Sequence, residues 1–434
     1  AQSCYGFCVK LYRDHRVLHT VDRRQRQMCI IDSDIQPIAV QISKLRFFIS
    51  LVVEQKPSDK PTNNFNIRPL PNLETKFVAA NTLIGIKKDG GLFETAEVKK
   101  LENELKIVRH KIFSLKSKER KIAWREKDKE LREKLSTVLK NQGLPLDAAE
   151  KLAKWDPYDQ NASSPLFDSE GMFGNKEGFS IVIGNPPYKQ VPKGLFSENQ
   201  FPYSEGKDKG KQNLYKVVVE ASKNLSTKET GVACMIVQSS LLCDLSSTHT
   251  RELLLSKTII DEILEFPKTA PTKEGQVFEN VLQGTCIYRF INKKPSKNHE
   301  FKISINNDVT TLERIKYESI VQNSLFDLYP DTFYIPLVNE GDFNAILLAK
   351  NYSTPLNSFI QSINQGDLNL TSSSDFFTTR DNGIKLFRGK NVQRYYLIDD
   401  VDEYVVEGFK SDKVNCNIMN KFLVCQEITG TTDK

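Results

Sequence analysis

No apolar run in this chain approaches the ~20 residues that a membrane-spanning helix requires, which excludes an obvious transmembrane segment. The opening Ala1-Gln2-Ser3-Cys4-Tyr5-Gly6 has neither an initiator Met nor a signal-peptide pattern. The 8 cysteines are scattered without a C-x-x-C pair. Cys4 and Cys8 are separated by three residues, but no second Cys or His pair completes a zinc site, so no metal is expected. Free thiols in a reducing cytoplasm are the expected state. Glycine is scarce at the start: Gly6 is the only one before Gly85. That excludes a Gly-rich nucleotide-binding turn over the first 84 residues.

What is present suits a protein with a sizeable core. The 434 residues, 39% apolar and 27% charged, allow two to three domains. A net charge of +6 permits a polyanionic partner without demonstrating one.

One stretch organises the rest: Ile181-Val182-Ile183-Gly184-Asn185-Pro186-Pro187-Tyr188. Phe179 and Ile181 to Ile183 predict a buried parallel strand, ended by Gly184 and two prolines that forbid a helix or ladder. A stiff loop at the C-terminal end of a strand is where open α/β sheets hold ligands. Asn185 offers an amide, Pro186 a carbonyl that no neighbouring N–H claims, and Tyr188 an aromatic plane. Together they suit a planar molecule with an exocyclic amine: two acceptors for its N–H groups and a ring for its face.

Along the chain, residues 1 to 28 are rich in Arg and His and predict a basic loop or helix. Met28-Cys29-Ile30-Ile31 reads as a short strand ending at Asp32-Ser33-Asp34, followed by helical spacing from Ile38 to Leu51 with Pro37 in the first turn. In such a strand–acid–helix step the carboxylate, here Asp34, bonds ribose hydroxyls; it also suits a helix N-cap, and one residue can do both. A short strand ends at Asn81. Residues 94 to 142 lack Gly and Pro and mix Lys, Arg and Glu with Leu101, Leu105, Val108, Ile112 and Leu115 at helical spacing. They predict one or two long helices, a hairpin protruding from the sheet, as a solvated spacer or a DNA contact. Residues 189 to 211 set Lys189, Lys193, Lys207, Lys209 and Lys211 among Phe196, Phe201 and Tyr203, which suits nucleic acid or a solvated loop. Asn213-Leu214-Tyr215 starts a helix, and Gly231 to Val237 reads as a buried strand followed by Gln238-Ser239-Ser240. Val277-Phe278-Glu279 and Gly284 to Phe290 read as an antiparallel edge pair.

The Asn-Pro-Pro-Tyr loop resembles that of S-adenosylmethionine-dependent amino-methyltransferases, above all the gamma-class DNA adenine-N6 enzymes. Asp34 to Leu51, Trp155 to Asn161, Asn213 to Tyr215 and the stretches Gly366 to Thr371 and Leu386 to Tyr396 are similar to segments of type IIG restriction–modification enzymes. The departures are Asp32-Ser33 in place of a Gly-hydrophobic pair, and Ser180 in place of Asp. The resemblance implies an α/β, Rossmann-like class I methyltransferase sheet, incomplete, with a long helical insertion and a partial C-terminal mixed α+β target-recognition domain. The boundaries it implies are 1–87 (methyltransferase, lacking the Gly-rich motif), 88–154 (insertion), 155–330 (catalytic part) and 331–434 (partial recognition domain). The roles it implies are Asn185, Pro186, Pro187 and Tyr188 in catalysis and Asp34, Asn81, Asn213 and Tyr215 on the cofactor, S-adenosyl-L-methionine. Phe278 would cover a flipped base, unless it is a core residue, and Asn81 would bond the cofactor adenine, unless it only forms a turn. Lys193 in its basic loop and Arg388, Lys390 and Arg394 in the C-terminal region are placed to meet double-stranded DNA, or are surface charge.

The expected activity is site-specific transfer of methyl to adenine N6 in a type II restriction–modification system. The rivals are methylation of a protein glutamine amide, and an inactive DNA-binding remnant. The missing Gly-rich motif predicts an internal piece of a longer protein that binds its cofactor weakly alone. It would need an upstream segment or separate chain carrying that motif and a nuclease domain.

Overall fold

The computed structural model describes residues 6–10, 30–53, 55, 57–60, 64–67, 72–84, 95–115, 117–142, 150–151, 153–164, 167–173, 175–192, 195–196, 200–208, 210, 212–268, 270, 275–278, 283–307, 309–354, 358–359, 374–382, 385–393 and 396–406. Lys193 and Arg394 lie outside them. Contacts divide the chain into two units, residues 1–351 and 352–434.

The first unit is built on a nine-stranded sheet. In chain order its strands are β1 (Gly6–Lys10), β2 (Ile30–Asp34), β3 (Phe77–Ala79), β4 (Ile181–Asn185), β5 (Val232–Gln238), β6 (Ile259–Phe266), β7 (Thr285–Ile291), β8 (Glu300–Ile305) and β9 (Glu318–Val321). Their order across the sheet is β3-β2-β1-β4-β5-β7-β6-β8-β9. β2 pairs parallel with β3, β4 with β5, and β6 with β8. β1 runs antiparallel to both β2 and β4, and β7 antiparallel to both β5 and β6. The result is a mixed α/β sheet.

Two expectations are corrected here, and the end of one strand is fixed. A strand, β1, stands where a basic loop or helix was expected. The strand expected to end at Asp32-Ser33-Asp34 runs to the last of them, because it is flanked on both sides and Asp32 N–H donates to Lys76 O at 2.9 Å. Gly284 to Phe290 is not an edge: β7 lies between β5 and β6, while Val277 and Phe278 are outside any strand. Seven apolar-rich residues with alternating burial suit an inner strand as well as an outer one, so alternation alone does not decide.

The core lies between one sheet face and helix α4 (Leu214–Leu225). Val182, Ala233, Met235, Val237 and Phe290 meet Val217 and Val218 there, all buried. A second helix, α1 (Pro37–Val53), covers β2 and β3 through Val40, Phe47 and Phe48 against Leu73, Phe77 and Ala79. Ile335, Val338 and Phe343 also join the main core, so the chain beyond 330 still belongs to this unit; the division falls after Asn351.

Residues 94–142 form the expected hairpin, α2 (Ala96–Ser114) and α3 (Lys118–Asn141). Thr95 and Ser117 cap their N-termini through side-chain acceptors. Val98, Leu105, Val108 and Ile112 pack on Leu131, Leu135 and Leu139. The hairpin is also anchored. Asp128, 0% exposed, accepts from Arg109 Nε and Arg132 Nε at 2.8 Å each. Arg109 reaches on to Met172 O at 2.8 Å and Arg132 to Ala153 O at 2.9 Å. Trp155 and Tyr158 pack here, under Arg109 and Arg125 respectively. The Trp155 to Asn161 stretch, whose role its chemistry alone does not reveal, therefore seats the hairpin.

In the second unit the described residues form two small antiparallel pairs, Phe377–Thr378 with Tyr404–Val405 and Val392–Gln393 with Tyr396–Leu397. No helix among the described residues is long and apolar enough to cross a membrane.

Candidate functional site

The C-terminal ends of β2, β3, β4 and β5 share one edge of the sheet. Gly6 pairs with Asp34 on one side and Asn185 on the other, so Asp34 and Asn185 stand level, two strand spacings or roughly 10 Å apart. Being in register, they point to the same sheet face. Ala79 is level with Asp34, and the chain goes on through a bridge of Ala80 to Ser164 to reach Asn81. Three residues distant in sequence, Asp34, Asn81 and Asn185, thus line one edge.

Asn185 is the last residue of β4 and is exposed, one residue later than the expected strand end. Pro186 has no N–H to extend the ladder, and both prolines are buried. Tyr188 is half-buried; its hydroxyl donates to Ile236 O at 3.4 Å, and burial pushes the phenol well above its ordinary pKa. The loop is pinned as it leaves. Leu214 N–H donates to Lys189 O at 2.8 Å, Val191 N–H to Gln212 O at 3.1 Å, and Gln190 bridges Asn213. Asn213 caps α4 by accepting Tyr215 N–H at 3.3 Å. Tyr215 meets Tyr188 edge to face, with ring centroids 6.3 Å apart and planes at 86°.

Asp34 is 4% exposed and accepts Gln36 N–H at 2.8 Å. Burial, opposed by that bond and reinforced by the Asp32 charge, pushes its carboxyl up to about 6. A carboxylate held out of water is favoured by a ligand that donates two hydroxyls to it. The sign follows: the ionised acceptor is present above a pH of about 6 and lost below it. Affinity for a ribose-bearing ligand is expected to fall about tenfold between pH 7 and pH 5. Calorimetric titration of S-adenosylmethionine across that range checks this; Asp34→Asn is expected to bind more weakly with a flat profile. Asn81 accepts Leu83 N–H at 3.3 Å and so forms a turn.

Phe278 is half-buried in the connection between β6 and β7. In the second unit Arg388 pairs with Glu403 and stacks 5.9 Å over Phe377, and Lys390 pairs with Asp402. A phosphate would compete with those carboxylates. The basic stretch after the loop is partly folded: Ser204 N–H and Oγ donate to Glu220 at 2.9 and 2.8 Å, and Lys207 lies 4.7 Å over Tyr203. Sequence reasoning missed Ser240 and Ser247, which hold the Tyr215 hydroxyl at 2.9 and 3.1 Å. Gln238-Ser239-Ser240 directly after a strand was the available signal.

The fold and this edge define a mixed α/β-sheet protein with an Asn-Pro-Pro-Tyr loop and a buried acid on one sheet edge. The chain belongs to the Eco57I restriction-modification methylase family, whose model matches residues 28–271. No curated protein matches it. Solved structures similar to parts of it include a modification subunit of a putative type I restriction enzyme from Vibrio vulnificus YJ016 (14% identity, 40% of this chain and 41% of that one, TM-score 0.25). The methyltransferase subunit of a type I restriction-modification system from Streptococcus thermophilus is another (14% identity, 46% and 47%, TM-score 0.29). A third is the type IIG restriction endonuclease BpuSI (14% identity, 55% and 32%, TM-score 0.28). The chain spans less than half the length of each of these three.

Proposed function

We propose that this chain carries the catalytic part of a DNA methyltransferase of a restriction–modification system, acting on adenine N6 in a type IIG arrangement. The observation that carries the reading is the alignment of Asn185-Pro186-Pro187-Tyr188 with Asp34 across one sheet edge, in a chain of this family. A target adenine leaves the duplex at a cost of a few kcal/mol, and stacking on Tyr188 offsets it. The Asn185 amide oxygen and the Pro186 carbonyl accept the two N6 hydrogens. Those bonds hold the amine in place and favour the tetrahedral nitrogen that forms as it attacks carbon. S-adenosylmethionine, when bound, would supply the electrophilic methyl group, its S–CH3 bond breaking so that S-adenosylhomocysteine leaves; the N6 proton goes to solvent.

The residues fit that cofactor in part. Asp34 suits the ribose and Asn81 the adenine ring. For the methionine end the matching position is β1, and it brings Gly6 at its start, not a glycine-rich turn at its finish, because the strand runs antiparallel. This favours a second reading, in which the chain binds DNA and depends on another segment or chain for that turn.

The test is transfer of labelled methyl from S-adenosylmethionine to unmethylated bacterial DNA, read as N6-methyladenine, with and without the upstream coding segment. Label with either protein supports the reading; silence with both favours the DNA-binding remnant.

A further inference from the structure

The resemblance puts Tyr215 on the cofactor, but its polar groups are already engaged. The residue is 2% exposed. Its N–H donates to the Asn213 cap, and its hydroxyl is shared between Ser240 Oγ at 2.9 Å and Ser247 Oγ at 3.1 Å. What it offers the loop is its ring, which meets that of Tyr188 edge to face. An aromatic edge is electropositive and a face electronegative, so this contact fixes the tilt of one ring against the other. Among the described residues the Tyr188 hydroxyl has one hydrogen bond, to Ile236 O at 3.4 Å, and its ring packs partly buried against the main core. The serines come from two different places, one directly after β5 and one before helix α5 (Thr248–Lys257). Tyr215 therefore joins the start of α4 to the turn beyond β5 and carries that registration to the loop tyrosine.

We propose that Tyr215 is a positioning residue, not a cofactor ligand: it sets the plane on which Tyr188 stacks the target base. The inference rests on the reading of Tyr188 as that platform. A misplaced platform lowers the rate of the chemical step, while the affinity for S-adenosylmethionine stays where it was.

The experiment is a double-mutant cycle in the protein used for the methyl-transfer assay. Tyr215→Leu removes the ring; Ser240→Ala with Ser247→Ala keeps the ring but frees its hydroxyl, and serves if the leucine variant does not fold. Each is made in the native and Tyr188→Ala backgrounds. Tyr215→Leu is expected to lower kcat about tenfold, with the KM for S-adenosylmethionine within about twofold of native, and to cost nothing further once Tyr188 is alanine. Tyr215→Phe keeps the ring but loses the same two serine bonds, and is expected to match the double serine variant, with kcat between those of the native and Tyr215→Leu proteins. A raised KM for S-adenosylmethionine with kcat preserved would overturn the proposal and restore the ligand role. An equal loss in both backgrounds would overturn it too, because Tyr215 would then not act through Tyr188. Failure of the underlying reading looks different: the native protein places no label on adenine, and the positioning role falls with it.

Discussion

Alanine in place of Asn185 is expected to lower methyl transfer by a factor of about 10²–10³, the loss typical of one preorganised transition-state contact. Stability and DNA affinity should be unchanged. The reasoning starts from exposure. Asn185 ends β4 with its side chain in the open, and its amide has no hydrogen bond to the described residues. Truncation therefore leaves no buried group unpaired, and a shift in melting of more than a degree or two is not anticipated. The backbone that follows is held independently by the prolines and by the bonds of 189–191 to 212–214. Only the proposed acceptor for the target amine goes. Initial rates with labelled cofactor, set beside a filter-binding curve for unmethylated DNA and a thermal melt, separate the three quantities. Retained transfer would remove Asn185 from catalysis, and a large loss of stability would show that the side chain has a structural partner.

Much of this edge is legible in the amino-acid sequence, because its signals are local. Two prolines after an apolar run stop a strand wherever they occur. The acid at the end of β2 and the cap at Asn213 follow from rules that act within a few residues. The hairpin is legible too, since 94–142 lacks helix breakers. What stays hidden depends on contacts between distant segments. The burial of Asp32, Ser33 and Asp34 is one case: flanking strands hold these polar residues as the buried end of β2. The place of β7 between β5 and β6 is set by crossover connections that no run of residues encodes. Tyr215 illustrates the same limit at the site. Its motif suggests a role, but Ser240 and Ser247, 25 and 32 residues further on, decide where its hydroxyl points. Asp128 is the extreme case, one acid among many in a charged helix.

Replacing Asp128 by alanine is expected to destabilise the first unit by about 3–5 kcal/mol, the cost of stranding buried charge. Its two carboxylate oxygens each take one guanidinium, from Arg109 on the facing helix and Arg132 one turn along. Both arginines are buried, so water cannot replace the lost acceptor well. They also hold main-chain oxygens of Met172 and Ala153, which tie the hairpin to the segment that leads into β4. Removing the acid leaves two like charges facing each other in a dry place, and that repulsion should loosen both attachments. A salt bridge of this kind is not in itself a large net gain, because burying three charges costs nearly as much as pairing them returns. The two effects can be told apart. Asp128→Ala alone should lower the urea midpoint markedly and expose the α2–α3 hairpin to proteolysis. Asp128→Leu combined with Arg109→Met and Arg132→Leu should recover most of that loss. If the single variant melts like the native protein, the hairpin is held by its apolar contacts alone. If the triple variant stays as unstable as the single one, the arginines' bonds to Met172 and Ala153 matter more than the charge balance.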